Sequence, residues 1–299
     1  MNRSRRLRSI VLFLFLVMPL VLGGCSLWKQ EKTSQPIDPP QVLDGEVLSW
    51  AVDDLTEDAA DDSSGKLNTN VTVYLQDKNG FIVPVSLKVP EEIGIAKKTL
   101  QYLVKGGEYE SELPEGFSAL LPEGTKIDLD IKQDEKLAIV DFSKEFNNYA
   151  EEEERDILEA VTWTLTGFPT VDRVELRMQG ETLKEMPVGG TPINGPLTRA
   201  VGINLEKAPG IEYGQSTPVT LYFTAVSPEN ATYFVPVTRL IQRTDNPVAA
   251  AMNELIAGPL EPSVLHDVMM PDTQVIDVAV QEDLVSVKLN DKALDSNDK

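Results

Sequence analysis

Few side chains in this chain are suited to chemistry. Of its 299 residues one is a cysteine, Cys25, and one a histidine, His266. A lone thiol makes no intramolecular disulfide and no cysteine-based zinc site, and a lone imidazole argues against a histidine-rich metal site or a catalytic triad. His266 falls near a loop and reads as a surface residue, not a ligand. Carboxylates are plentiful, but their spacing is uninformative. Glu151–Glu154 is a run of acids at a helix start, where negative charge suits the positive end of the dipole, and it reads as a solvated helix end. Asp128, Asp130 and Asp141 alternate with apolar residues, which points them to solvent, and they lack the spacing of a calcium-binding loop. Gly106-Gly107 and Gly189-Gly190 lack the surroundings of a phosphate loop, and no Gly-x-Ser-x-Gly occurs. The expectation is that there are no catalytic residues, no metal site and no cofactor. Cys25 is left as the one reactive side chain in a specific setting: small residues, Leu22-Gly23-Gly24, let the backbone before it lie extended, and its thiol is a nucleophile.

The residues before Cys25 give that thiol a purpose. Arg3, Arg5, Arg6 and Arg8 form a basic stretch, and residues 10–22 are an unbroken apolar run. Thirteen residues are short for a membrane span and match the apolar core of a signal peptide. With Leu22-Gly23-Gly24-Cys25 the segment resembles the bacterial lipobox. That resemblance implies diacylglycerol on Cys25, cleavage just before it, and a protein held at the outer face of a cell membrane. Residues 1–24 are therefore expected to be a leader.

The formal net charge is −21. Such a surface repels nucleic-acid backbones, so nucleic acid is not an expected partner. Residues 33–65 contain no lysine or arginine and nine acids, with Pro36, Pro39 and Pro40 near their start. Self-repelling charge predicts an extended tether over 25–66. Val47–Trp50 is an apolar island in it, either a docking peptide or incidental composition.

Beyond the tether the sequence repeats itself. Val71–Leu75 corresponds to Val219–Phe223, and Ile82–Ser86 to Phe234–Thr238, proline included. Leu100–Gly107 corresponds to Met252–Pro259, each an apolar helix face ending at glycine. Leu121-Pro122 corresponds to Met270-Pro271, Thr125–Ile127 to Thr273–Val275, and Ala138–Ser143 to Val285–Asn290. Matches in constant order at a spacing near 150 residues mean tandem domains. In the first copy Glu151–Thr166 reads as a helix with the apolar stripe Ile157, Val161, Leu165 and Phe168, and 172–178 as a strand. The fold expected is α+β, a mixed sheet covered by two helices in the order ββαββαβ. The organisation expected is a first domain at 67–200, a linker at 201–216 and an incomplete second domain at 217–299. The second copy lacks counterparts of the helix 151–166 and the strand 172–178; truncation is the favoured explanation, with a covering partner or an unstable copy as alternatives. Trp163 either fills the core or marks a contact patch. Met186–Pro192 is a structural wrap in the first instance, a contact surface in the second.

Several of these segments carry a family resemblance. Leu100–Gly107, Leu121–Thr125, Ala138–Ser143, the Thr-Trp-Thr-Leu run at 162–165 and Glu-Met-Pro-Val-Gly-Gly-Thr-Pro at 185–192 resemble the GerM family of sporulation and spore-germination proteins. The resemblance covers nearly all of 71–299. It implies two GerM domains, similarity of residues 94–178 to ring-building motifs, and a role in an envelope assembly between mother cell and forespore. The partners implied are envelope proteins of the sporulation channel or similar ring-forming domains, with self-association. It brings no catalytic residues. A cell-wall hydrolase working through paired carboxylates and a germinant-binding protein with an apolar pocket stand as alternatives.

Overall fold

The computed structural model describes residues 68–90, 93–212, 214–281 and 284–294. Cys25, the expected leader and the acidic segment lie outside the described residues. Those described all fall within one compact unit.

The first copy opens with a hairpin, β1 (Asn68–Asp77) and β2 (Ile82–Pro90). Its turn is tied by Asp77, which accepts from the Asn79 and Phe81 N–H groups. A short helix, α1 (Ile95–Gln101), follows, then β3 (Phe117–Ser118), β4 (Ile127–Lys132) and β5 (Leu137–Phe142). A long helix, α2 (Glu154–Leu165), leads to β6 (Arg173–Met178) and β7 (Glu181–Thr182). The expected mixture of strands and helices is present, but the strands divide between two sheets. One has the order β2-β1-β3, the other β4-β5-β6-β7, with β5 and β6 parallel. Helix α2 touches β1, β2 and β6. Its stripe Ile157, Val161 and Leu165 is fully buried, and Phe168 packs against the same core. Burying each such side chain contributes about 1.5–3 kcal/mol, which accounts for the helix forming here.

Two local expectations change. Helix α1 ends at Gln101, well before Gly106, because Val104 leaves the helix to bridge Leu121. The acids at 151–154 are not uniformly solvated: Glu151–Glu153 form a single 3-10 turn, while Glu154 is 2% exposed.

The second copy repeats the hairpin as β9 (Ser216–Val226) and β10 (Thr232–Gln242), with β8 (Glu206–Lys207) running parallel to β10. Helix α3 (Pro247–Ala257) begins at Asn246, whose side chain accepts from the Ala249 N–H, and stops at Gly258. β11 (Val275–Gln281) and β12 (Leu284–Leu289) form a two-stranded sheet. They correspond to β4 and β5. Among the described residues nothing corresponds to α2 and β6, and the consequence is visible. Ala138 and Val140 are fully buried, whereas their counterparts Val285 and Val287 are 47% and 37% exposed.

Candidate functional site

Of the two family-like runs, 185–192 leads to a densely bonded carboxylate and 162–165 to a joint between the copies. Glu154 opens α2, and the segment 186–191 folds over it. The carboxylate accepts from the Gly189 N–H at 2.6 Å, the Thr191 N–H at 2.9 Å, the Val188 N–H at 3.2 Å and the Tyr149 hydroxyl at 2.9 Å. Burial by itself would raise its proton affinity. Bonds from Thr191, the Gly189 N–H and Tyr149 overcome that and hold it at about 2. Burial and the Glu154 charge push the Tyr149 hydroxyl the other way, above its ordinary range. Glycine is required at 189, because a Cβ there would sit 2.9 Å from a Glu154 oxygen already fixed by hydrogen bonds. Met186 is buried, and Val188 at the crest is exposed. The segment is thus a wrap that closes the domain, fastened by a carboxylate.

The run 162–165 serves a different contact. Thr164 accepts the Tyr74 N–H of β1 at 2.9 Å. Trp163 is 3% exposed, tilts against Tyr74, and donates its indole N–H to the Gly202 carbonyl at 2.8 Å. Arg199 stacks over its ring at 4.5 Å. Trp163 therefore fills the core, and its polar edge holds the strap that leads to the second copy.

That strap is a dense joint. Asn204 has a positive φ of 46°. Its side-chain amide bonds both Ile82 N–H and Ile82 C=O at 2.7 Å, and also the Pro236 carbonyl at 2.7 Å. It takes the place of a strand between β2 of one copy and β10 of the other. Its own N–H donates to Glu159 at 2.7 Å. Ile203 exchanges two bonds with Thr238, and Arg155 donates to the Val201 carbonyl. Tyr233 of the second copy donates to Asp77 of the first at 2.6 Å. Gly116, at φ 88°, admits Pro228 so closely that a Cβ would lie 2.7 Å from its ring.

Arg239 is a third polar centre. It is 1% exposed and binds Glu206 on β8, the Glu254 carboxylate on α3 and the Gly258 carbonyl at the end of that helix. Burial raises Glu206, and the arginine opposes it.

The other residues considered from sequence are not drawn together. His266 is exposed, and its backbone pairs with Thr224. Asp128 and Asp130 are exposed, and Asp141 is partly so and accepts the Gly180 N–H. No set of three His, Asp or Glu among the described residues is arranged to hold a metal. Among the described residues Glu159 is the carboxylate raised furthest: burial pushes it to about 7, against Arg155 and the Asn204 N–H. A raised carboxylate of this kind is what a general acid needs, but Glu159 is 1% exposed and is bonded to Asn204 in the joint. Glu159, Asn204 and Arg239 escaped the sequence reading, and Glu154 was expected on a solvated helix end. The one available signal was the substitution of Arg239 for Leu87 at the same point of the repeat.

Comparison with known proteins agrees with this architecture. The family model "Germane: Sporulation and spore germination" matches residues 72–184 and 220–299. The chain is 41% identical over 272 residues to the spore germination protein GerM of Bacillus subtilis (strain 168), covering 87% of this chain and 74% of that protein. This chain belongs to the GerM family. The solved tandem GerMN domains of the sporulation protein GerM from B. subtilis superpose with a TM-score of 0.72 at 41% identity, over 76% of this chain and 80% of that one. Both family-like runs of this GerM-family chain thus have structural explanations: 162–165 holds the joint, and 185–192 caps Glu154. No helix among the described residues is long and apolar enough to cross a membrane.

Proposed function

We propose that this chain is a non-enzymatic, lipid-anchored scaffold of sporulation and spore germination, tethered through diacylglycerol on Cys25 at the outer face of a cell membrane. It acts by protein–protein contact in an envelope complex between mother cell and forespore, with other envelope proteins or with its own kind. The observation that carries this reading is the use made of the perturbed carboxylates. Glu154, Glu159 and Glu206 are each committed to holding one part of the chain to another. A hydrolase needs a carboxylate pair facing a cleft; a scaffold needs fixed surfaces, and these bonds fix them. The relatives' names supply the process, and the basic leader, apolar run and Leu22-Gly23-Gly24-Cys25 supply the anchor.

Fractionation of sporulating cells tests the anchor: Cys25→Ala should move the protein from the membrane fraction to the soluble one or leave it as precursor. Cross-linking of the anchored chain in the same cells should capture envelope proteins or a second copy. Hydrolysis of purified peptidoglycan by the chain would overturn the scaffold reading.

A further inference from the structure

Glu159, at the joint between the copies, is a group whose charge can change near neutral pH. The first copy holds the strap 201–204 through four kinds of contact. Arg155 donates to the Val201 carbonyl at 2.7 Å, Trp163 to the Gly202 carbonyl at 2.8 Å, Ile82 pairs with the Asn204 amide, and Glu159 accepts the Asn204 N–H. The indole, the amide and the backbone groups have no titration in this range, and the guanidinium keeps its charge. Glu159 differs. It is buried at the centre of α2's joint-facing side, and its one counter-ion is imperfectly placed. Arg155 Nε lies 2.7 Å from Glu159 Oε1, yet neither atom makes an aligned hydrogen bond. Among the described residues the other ionisable group acting on it is Asp156, also on α2, whose like charge opposes ionisation of Glu159. Asp156 is itself tied to Gln76 of β1. The strap brings only its Asn204 N–H.

We propose that Glu159 is a proton-operated clasp: the joint between the two copies is tight when Glu159 is protonated and slackens as it ionises. The sign follows from linkage. Burial raises the proton affinity of Glu159 in the closed joint to about 7, whereas in an opened, hydrated joint it returns towards 4.5. The closed state then binds more protons than the open one between these values, so rising pH favours opening. The closing contribution is complete below about 4.5 and is lost as pH climbs through about 7. Glu154 does not interfere, since it is ionised throughout this range.

Amide hydrogen exchange on the full chain, corrected for intrinsic rates, tests the clasp. Opening of the strap amides 202–204 should rise about tenfold between about pH 6 and about pH 8. Amides of β5, in the core of the first copy, should not follow, and Glu159→Gln should make the strap insensitive to pH. A strap whose protection ignores pH, a rise shared equally by β5, or the same rise in E159Q would each overturn the proposal. A direct measurement guards against a poorly folding variant: the Glu159 carboxyl carbon, followed by NMR in the native chain, should titrate near neutrality, and a midpoint at the ordinary glutamate value overturns the clasp.

Discussion

Glu154 shows how a residue that looks like surface charge becomes a fastener. Four consecutive glutamates stand at the start of α2, and only the fourth turns inward, because the helix phase carries it beneath the segment 186–191. A carboxylate buried among three N–H donors and a hydroxyl is held more firmly than a neutral acceptor would be, since each charge-assisted bond is worth about 1.5–3 kcal/mol. Glu154→Gln should therefore cost about 2–3 kcal/mol in urea unfolding at neutral pH and release protection of amides 188–191. The pH dependence has a definite direction. The folded-state value, about 2, lies below the ordinary 4.5, so the stabilisation is present above 4.5 and disappears as pH falls towards 2. The gap between wild type and E154Q should shrink over that interval; a gap constant down to pH 2 would mean that the charge is not what holds the segment.

At the scale of elements, the polar clamps join pieces that hydrophobic burial alone leaves loosely specified. Arg239 links β10, β8 and the end of α3. Removing it strands two partly buried carboxylates, so Arg239→Ala should destabilise by about 3–5 kcal/mol. Arg239→Met, which fills the space but leaves the same carboxylates unpaired, should cost nearly as much, whereas the triple change to Met with Glu206→Gln and Glu254→Gln should recover most of the loss; recovery by Met alone would show that packing, not pairing, matters. The elements themselves were largely legible in the sequence. The stripe of α2, the alternation of β6 and the paired hairpins at 71–87 and 219–238 rest on periodicity, which one chain displays. The division of the first copy into two sheets was not legible, because strand periodicity states that a strand exists and is silent on its neighbour. The joint was illegible for a related reason. Asn204, Glu159 and Ile82 are far apart in sequence, and Asn204 in isolation reads as one more loop asparagine. The Thr-Trp-Thr-Leu and Gly-Gly runs were visible as distinctive text; their roles depended on partners 90 and 35 residues away.

For the whole molecule, the contrast between the copies is the main energetic feature. The first has its β4–β5 sheet extended by β6, with Ala138 and Val140 on β5 fully buried. In the second, Ile276, Val280, Leu284, Val285 and Val287 are exposed on β11 and β12. A substitution at such a site removes little buried area, so Val285→Lys should alter stability by less than about 0.5 kcal/mol and reduce binding of a hydrophobic dye. A loss of several kcal/mol would show that the face is covered in solution. The corresponding change in the first copy, Ala138→Lys, would place an unpaired charge in a core and should prevent folding.

One consequence is that the two copies are not interchangeable. At a single point of the repeat the first copy keeps Leu87 in an apolar interior, while the second has Arg239 gripping two glutamates. Likewise Trp163 of the first copy reaches forward to Gly202, and Tyr233 of the second reaches back to Asp77. Each half thus carries contacts that its counterpart lacks, like a left and a right hand. Substituting the second copy by the first would put a leucine where the grip on Glu206 and Glu254 is needed.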